Sequence, residues 1–277
     1  MHSFYEPISH AKHAGMRWSL PARFEFAQDL RLIQVTFQEI RRAANFYPLC
    51  LRQTGNILDL VAILADEQGK NIHIDAAGKW ATEYLPLMLR VHPFSLVRRA
   101  GGDDLLLAVT HDGGLFGKDG EHDLFDEHGK FSPATSIVLA ALQTAETQRP
   151  ALRTACELLA TLDITVPVPS GALNGGLHRQ KLFVIDPEKL AALSATQRAR
   201  YVELYRSNPF ALHLVEAIVY SQNNFAFRSL LADMPHGERL KQVHPSITPE
   251  PTPDDTPPAE VDENTFIDYG ATLDFGS

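Results

Sequence analysis

The twelve histidines among the 277 residues could serve as metal ligands or as general bases, and their spacing decides between these uses. Zinc and non-haem iron sites draw on His-x-x-x-His along a helix, on Cys-x-x-Cys, or on a His-x-Asp opening with a distal His. The first two are missing, and no distal His in a strand context completes the third. The tightest pair, His10 and His13, falls in an N-terminal stretch that reads as a solvated loop. The densest polar cluster runs from His111-Asp112 to Asp126-Glu127-His128 and includes Asp119, Glu121, His122 and Asp123. It lacks the alternating Asp/Asn pattern of an EF-hand. It therefore reads as a surface loop, with weak divalent binding or an active-site lid as the alternatives. Cys50 and Cys156 sit far apart in apolar stretches, as expected of two buried free thiols in a reducing compartment. No Gly-x-Gly-x-x-Gly, Walker loop or Gly-x-Ser-x-Gly elbow occurs. Spacing thus specifies no catalytic residue, no metal and no cofactor.

One group remains as a candidate ligand site. Trp80 and Tyr84 fall on a stretch from Gly78 to Leu89 that reads as helical, with Tyr84, Leu85, Met88 and Leu89 near a 3.6-residue period, and Arg90 follows directly at its end. There they would form an aromatic wall beside a cation, suited to an anionic ligand or a peptide carboxylate. Asp112 and Asp126 in the polar loop would close the pocket from the other side. The competing reading is structural: Asp75, Gly78 and Trp80 form a turn that buries the indole, and Tyr84 packs beneath it.

The elements that would position these residues are those of an α+β domain, a small and mostly antiparallel sheet with helices packed on it. Phe24-Glu25-Phe26 and Leu30–Val35 alternate as half-buried strands do. Thr36 followed by Glu39 is a capping box for a short helix from Phe37 to Asn45. Leu49–Arg52 and Leu58–Leu64 read as strands divided by Thr54-Gly55-Asn56, and Ile72–Asp75 as a strand paired back through a hairpin. Leu105–Thr110 is a further strand. Ser132-Pro133 opens a long helix to about Thr161, with Ser132 as cap and Pro133 in the first turn. After a Pro/Gly/Ser linker at 166–176 come the strand Lys181–Ile185 and three helical pieces (187–193, 195–205, 209–220), which make the last third helical.

The net charge of −9 is localised. Between Pro245 and Ser277 there are eight acids and no Lys or Arg, so the rest carries 34 − 8 = 26 acids against 25 bases. A neutral body predicts no phosphate-backbone partner, which excludes nucleic acid as the expected ligand. Residues 1–233 are read as the domain and 234–277 as an acidic, proline-rich tail expected to be disordered. Near its end Phe266, Tyr269 and Phe275 return apolar side chains that could dock on a protein partner. No run approaches the roughly 18 apolar residues of a membrane span, and the start, Met-His-Ser-Phe-Tyr-Glu, lacks a secretory pattern. These favour the cytoplasm, with cell-surface association as the alternative.

Taken in order, Phe37-Gln-Glu-Ile, Ala43-Ala-Asn-Phe-Tyr-Pro48, Asn71-Ile-His-Ile-Asp75, Gly78-Lys-Trp80, Tyr84-Leu-Pro86, Leu89-Arg90 and Pro93-Phe94 resemble the N-terminal signature of the SapC family. Leu124-Phe-Asp126, Gly129, Phe183-Val-Ile-Asp186 and Tyr220-Ser221 are similar to its later elements. Val91-His92 stands where the family usually has Arg-Tyr. The resemblance covers about residues 1–233 and implies an α+β protein of a family named for a bacterial surface layer, distinct from the similarly named peptide permease. With no reaction specified, the expected role is a non-enzymatic interaction protein. The alternative is a ligand-binding protein or enzyme accessory factor with its pocket near Trp80–Arg90.

Overall fold

The computed structural model describes residues 5–66, 68–99, 101–168, 177, 180–207 and 210–223. In chain order the strands are β1 (Glu6–Pro7), β2 (Arg17–Trp18), β3 (Leu32–Gln34), β4 (Leu49–Thr54), β5 (Ile57–Ile63), β6 (Phe94–Arg98), β7 (Leu105–Val109), β8 (Phe116–Gly117), β9 (His122–Asp123), β10 (Thr165–Pro167) and β11 (Lys181–Ile185). The α-helices are α1 (His10–His13), α2 (Ile40–Phe46), α3 (Leu87–Arg90), α4 (Pro133–Ala160), α5 (Pro187–Ala191), α6 (Ala195–Ser207) and α7 (Phe210–Asn223).

The central hairpin follows from its turn. Thr54 pairs with Ile57, which leaves Gly55 and Asn56 as a two-residue loop, and Gly55 takes φ 60°. A positive φ at the first central residue matches the right-handed twist of the flanking strands, and glycine adopts it without a Cβ clash. Around this hairpin the sheet has the order β10-β11-β4-β5-β3, and every pair in it is antiparallel. Alternation sends Leu49, Leu51, Leu60 and Ala62 into one core with Ala43 and Ala44 of α2, Leu152, Ala155 and Leu159 of α4, and Leu214 and Ile218 of α7. Cys50, Val61 and Ile63 face the other way and pack with Leu182 and Val184.

Two small antiparallel sheets, β1-β7-β6 and β8-β2-β9, form a second body around Trp18, Phe94, Leu107, Val109, Phe116 and Leu124. Helix α4 joins the two cores. At 1.5 Å per residue it spans about 42 Å, with Val138 and Leu142 in the second core and Leu152 to Leu159 in the first. It starts as its sequence requires: the Ser132 side chain accepts from the Thr135 amide at 3.2 Å, and Pro133 stands in the first turn. Trp18, fully buried, donates its indole N–H to Thr135 Oγ1 at 3.0 Å and so ties the small sheets to this helix start.

The α+β architecture, the hairpin, α2 with its capping box, α4, β11 and the helical last third match the sequence reading. Four local expectations are corrected. The stretch 78–89 is not one helix: only Leu87–Arg90 is helical, because Pro86 can only precede a helix and residues 75–80 close a turn instead. Ile72–Asp75 is not a strand: its one ladder contact among the described residues is the isolated bridge of Ile74 with Trp80, and Asn71 just before it bridges Ala65. Glu25–Ala27 is a 3-10 turn rather than a strand, and Phe24 enters the core from it. His10–His13 is a helical turn, with His13 buried and its Nδ1 beside the Ser9 carbonyl at 3.1 Å, rather than a solvated loop. The tail 234–277, with the boundary at 233, and most of the 166–176 linker lie outside the described residues.

Candidate functional site

The capping box places a carboxylate where three elements meet. Glu39 closes the first turn of its helix by accepting from the Thr36 amide at 3.0 Å and the Thr36 hydroxyl at 2.6 Å, both on Oε2. Its other oxygen faces across the sequence. Oε1 accepts from the Tyr84 hydroxyl at 2.5 Å and from the Leu87 amide at 2.6 Å, one of the N–H groups that the start of α3 leaves without a helical partner. Glu39 is only 2% exposed, and the Arg90 guanidinium approaches Oε1 at 3.9 Å.

Tyr84 links this carboxylate to a second set of groups. Its backbone carbonyl accepts from the Tyr47 hydroxyl, the Trp80 indole at 3.0 Å and the Thr82 hydroxyl at 3.1 Å, and Trp80 also reaches the Tyr47 oxygen at 3.1 Å. The guanidinium carbons of Arg42 and Arg90 lie 5.5 and 5.9 Å from the Tyr84 ring centre, within cation–π range. Burial, reinforced by the Glu39 charge, raises the Tyr84 phenol well above its ordinary range, and burial pushes Tyr47 up to about 12. Both phenols are therefore neutral donors at any physiological pH. Below them His73 stacks on Trp80 with ring centres 5.7 Å apart, and burial pushes its imidazole down to about 4.

The structure thus brings Trp80, Tyr84 and Arg90 together, through Glu39 and Tyr47 rather than along one helix. Asp112 is placed by its backbone: its carbonyl sits 3.0 Å from His92 Nε2, and the His92 ring lies flat on Phe26 at 3.9 Å. Asp126 belongs to a separate turn, where Oδ1 accepts from the amides of His128 and Lys130 at 2.9 and 2.8 Å. That turn has two counterparts. Asp66, Asp75 and Asp126 each begin Asp-x-x-Gly-Lys, and in each the Asp Oδ1 accepts from the second and fourth following amides. A bridge closes each turn, delivering Asn71, Trp80 or Phe131 toward the body. The string Asp-x-x-Gly-Lys at positions 66, 75 and 126 is the signal that could have revealed this unit. Glu39, Tyr47 and His73 were not singled out as site residues. Only the capping box marked Glu39, and nothing local in the sequence announces its burial.

In Arg90 the buried Nε and Nη2 have no hydrogen-bond partner. These two N–H groups lie along one edge of a guanidinium, the edge that engages a carboxylate or phosphate side-on. A cleft of about 40 Å³ lies near, between Thr36 and Phe37, Leu96 of β6, and Leu142 and Arg149 of α4, with Met88 on its wall. It holds little more than one water, and none of the five candidate residues lines it. Both cysteines are free and buried, and burial raises each thiol to about 12, so neither presents a thiolate nucleophile. Among the described residues no group of three or more His, Cys, Asp or Glu is placed to hold a metal ion, and no helix is long and apolar enough to cross a membrane.

The family model described as SapC matches residues 8–227. No curated protein and no solved structure matches the chain.

Proposed function

This chain belongs to the SapC family, and from that premise we propose that it is a non-enzymatic interaction protein, acting through protein–protein contacts made by its α+β body and its C-terminal segment. One observation carries the reading: large apolar side chains stand in solvent on α6 and α7, Val202 at 49% exposure and Tyr220 at 56%. Tyr220 lies one helical turn before Asn223, beyond which the sequence continues to the acidic segment bearing Phe266, Tyr269 and Phe275. Exposed apolar side chains on the body, together with aromatic residues in an acidic segment of the same sequence, supply the components of a docking contact. The family name makes a bacterial surface layer one setting for such contacts.

Co-purification from the native host tests this. The full chain is expected to retain a stoichiometric protein partner, and a chain lacking residues 245–277 to lose it while its melting temperature stays within about 1–2 °C. Retention of the same partner by the shortened chain would remove the segment from the interaction.

A second reading has its own observation. The edge of Arg90 that makes no hydrogen bond, with Glu39 as its counter-charge at 3.9 Å, supports recognition of a further anion, a carboxylate or a phosphate, in a site that includes Trp80 and Tyr84. Here inorganic phosphate or acetate at constant ionic strength is expected to raise the melting temperature of the wild type and not of Arg90→Gln. An equal response to chloride discards this reading.

A further inference from the structure

Helix α6 (Ala195–Ser207) buries none of its described side chains. In its sequence Ala195-Thr-Gln-Arg-Ala-Arg-Tyr-Val-Glu-Leu-Tyr-Arg-Ser207, Tyr201 is the residue that packs part-way against the first core. On the helical 100° repeat, Arg198, Val202 and Arg206 form one exposed strip at i, i+4 and i+8, spread over 80°, with Ala199 and Glu203 along the side farther from Tyr201. That face is a short apolar strip, Ala199 and Val202, with Arg198 and Arg206 at its ends. Helix α6 as a whole carries Arg198, Arg200 and Arg206 against Glu203, a net charge of 3 − 1 = +2. A solvent-facing helix with low hydrophobic content is stable where something packs on it or where many internal ion pairs support it, and Arg198, Arg200, Glu203 and Arg206 make no ion pair among the described residues.

The same chain carries the complement. Phe266-Ile-Asp-Tyr-Gly-Ala-Thr-Leu-Asp-Phe275 places apolar residues among Asp268 and Asp274, directly after Asp262 and Glu263, within a stretch from Pro245 to Ser277 that has eight acids and no Lys or Arg. Residues 224–265 separate it from the end of α7 and, at about 3.3 Å per extended residue, reach up to ~140 Å, more than any distance on a body of this size. One helix, α7, separates the end of α6 from the start of the tether, a span well within that reach.

We infer that residues 266–275 dock on the Arg198–Val202–Arg206 face of α6 within the same chain. Their aromatic and aliphatic side chains cover Ala199 and Val202, and their carboxylates meet Arg198 and Arg206. The inference rests on the interaction reading for its use, since the docked segment is a latch that a partner displaces. Its physics concerns the isolated chain alone. Tethering supplies an effective concentration in the millimolar range, so a contact worth only ~0.1 mM between separate molecules holds the latch closed about ten to one.

Amide hydrogen exchange on the purified full-length protein decides the matter without any partner. With the latch closed about ten to one, α6 amides are expected to exchange up to ~10-fold more slowly in the wild type than in the full chain carrying Phe266→Ser, Tyr269→Ser and Phe275→Ser. The difference should shrink on going from about 0.05 to 0.5 M salt, where the Debye length contracts to a few ångströms. Arg198→Gln with Arg206→Gln, which leaves helix propensity almost unchanged, should abolish it. Equal α6 exchange in all three proteins overturns the inference. So does protection that disappears on dilution from about 100 to 1 µM, which would place the segment on a second copy by mass action. So, too, does a serine variant whose β4 and β5 amides exchange faster as well, because the effect would then be global. None of these results bears on whether a partner co-purifies, so the two readings fail separately.

Discussion

Replacing Glu39 with alanine is expected to destabilise the protein by ~4–5 kcal/mol, most of what holds a marginal domain together. The carboxylate takes four donors at 2.5–3.0 Å and is 2% exposed. Truncation leaves the Tyr84 hydroxyl and the Leu87 amide buried without an acceptor, at about 1–3 kcal/mol each, and leaves the Arg90 cation in the interior without its counter-charge. These costs share one network, so they do not simply sum. Glu39→Gln keeps the volume but turns an N–H₂ toward donors, and should cost about half as much. Urea unfolding midpoints measure both. Glu39→Leu combined with Arg90→Met, which removes both charges, should recover part of the loss relative to Glu39→Ala, since an apolar pair of similar volume avoids desolvating two ions. A cost below ~1 kcal/mol for Glu39→Ala would mean that Thr36, Tyr84 and Leu87 find other acceptors and that the carboxylate does not organise this region.

The second large effect is one of pH. His73 is 5% exposed, its Nε2 has no partner, and burial lowers its pKa to about 4 from an ordinary 6.5. A folded-state value below the unfolded one means that the unfolded chain takes up the proton first. The stabilisation is therefore complete above about pH 6.5 and drains away as the pH falls toward 4. Between pH 7.5 and 5 the expected loss from this one residue is about 2 kcal/mol. His92 shifts in the same direction, burial being the main cause and the Asp112 carbonyl opposing it, so it steepens the fall. Chemical denaturation at pH 7.5, 6.5, 5.5 and 5 gives the slope. His73→Phe, which keeps the stack on Trp80 and removes the titrating nitrogen, should flatten the slope by about that 2 kcal/mol. An unchanged slope would assign the acid sensitivity elsewhere.

Local rules made much of the fold legible. Gly55-Asn56, the capping box at Thr36 and Glu39, and Ser132-Pro133 each state their structure within a few residues, and the structure obeys them. The buried cysteines were equally readable from their apolar neighbours. What escaped depends on partners far away in sequence. Arg17-Trp18 is a strand only because Phe116-Gly117 and His122-Asp123 lie on either side of it, and Phe94–Arg98 only because Leu105–Val109 returns beside it. Two residues show no period. Trp80, Tyr84 and Arg90 were grouped from a helical spacing that Pro86 and the Asp75 turn forbid, yet tertiary packing gathers them around Glu39 and Tyr47. Asp126 looks like a candidate for chemistry in a list of polar residues, and its turn, like that of Asp75, shows where such a carboxylate is spent, on backbone amides.

The position of β4 in its sheet sets a timetable for biosynthesis. Its neighbour on one side, β5, follows at once, but on the other side Leu51 pairs with Phe183. At about 5–20 residues per second, a ribosome delivers that second neighbour roughly 7–26 s later. For that interval Leu51, Arg52 and Gln53 form an unprotected strand edge, the feature that recruits other nascent chains into mixed sheets. Expression yield should therefore respond to translation speed between codons 54 and 185 and to the supply of chaperones, even for variants whose finished structures are equally stable.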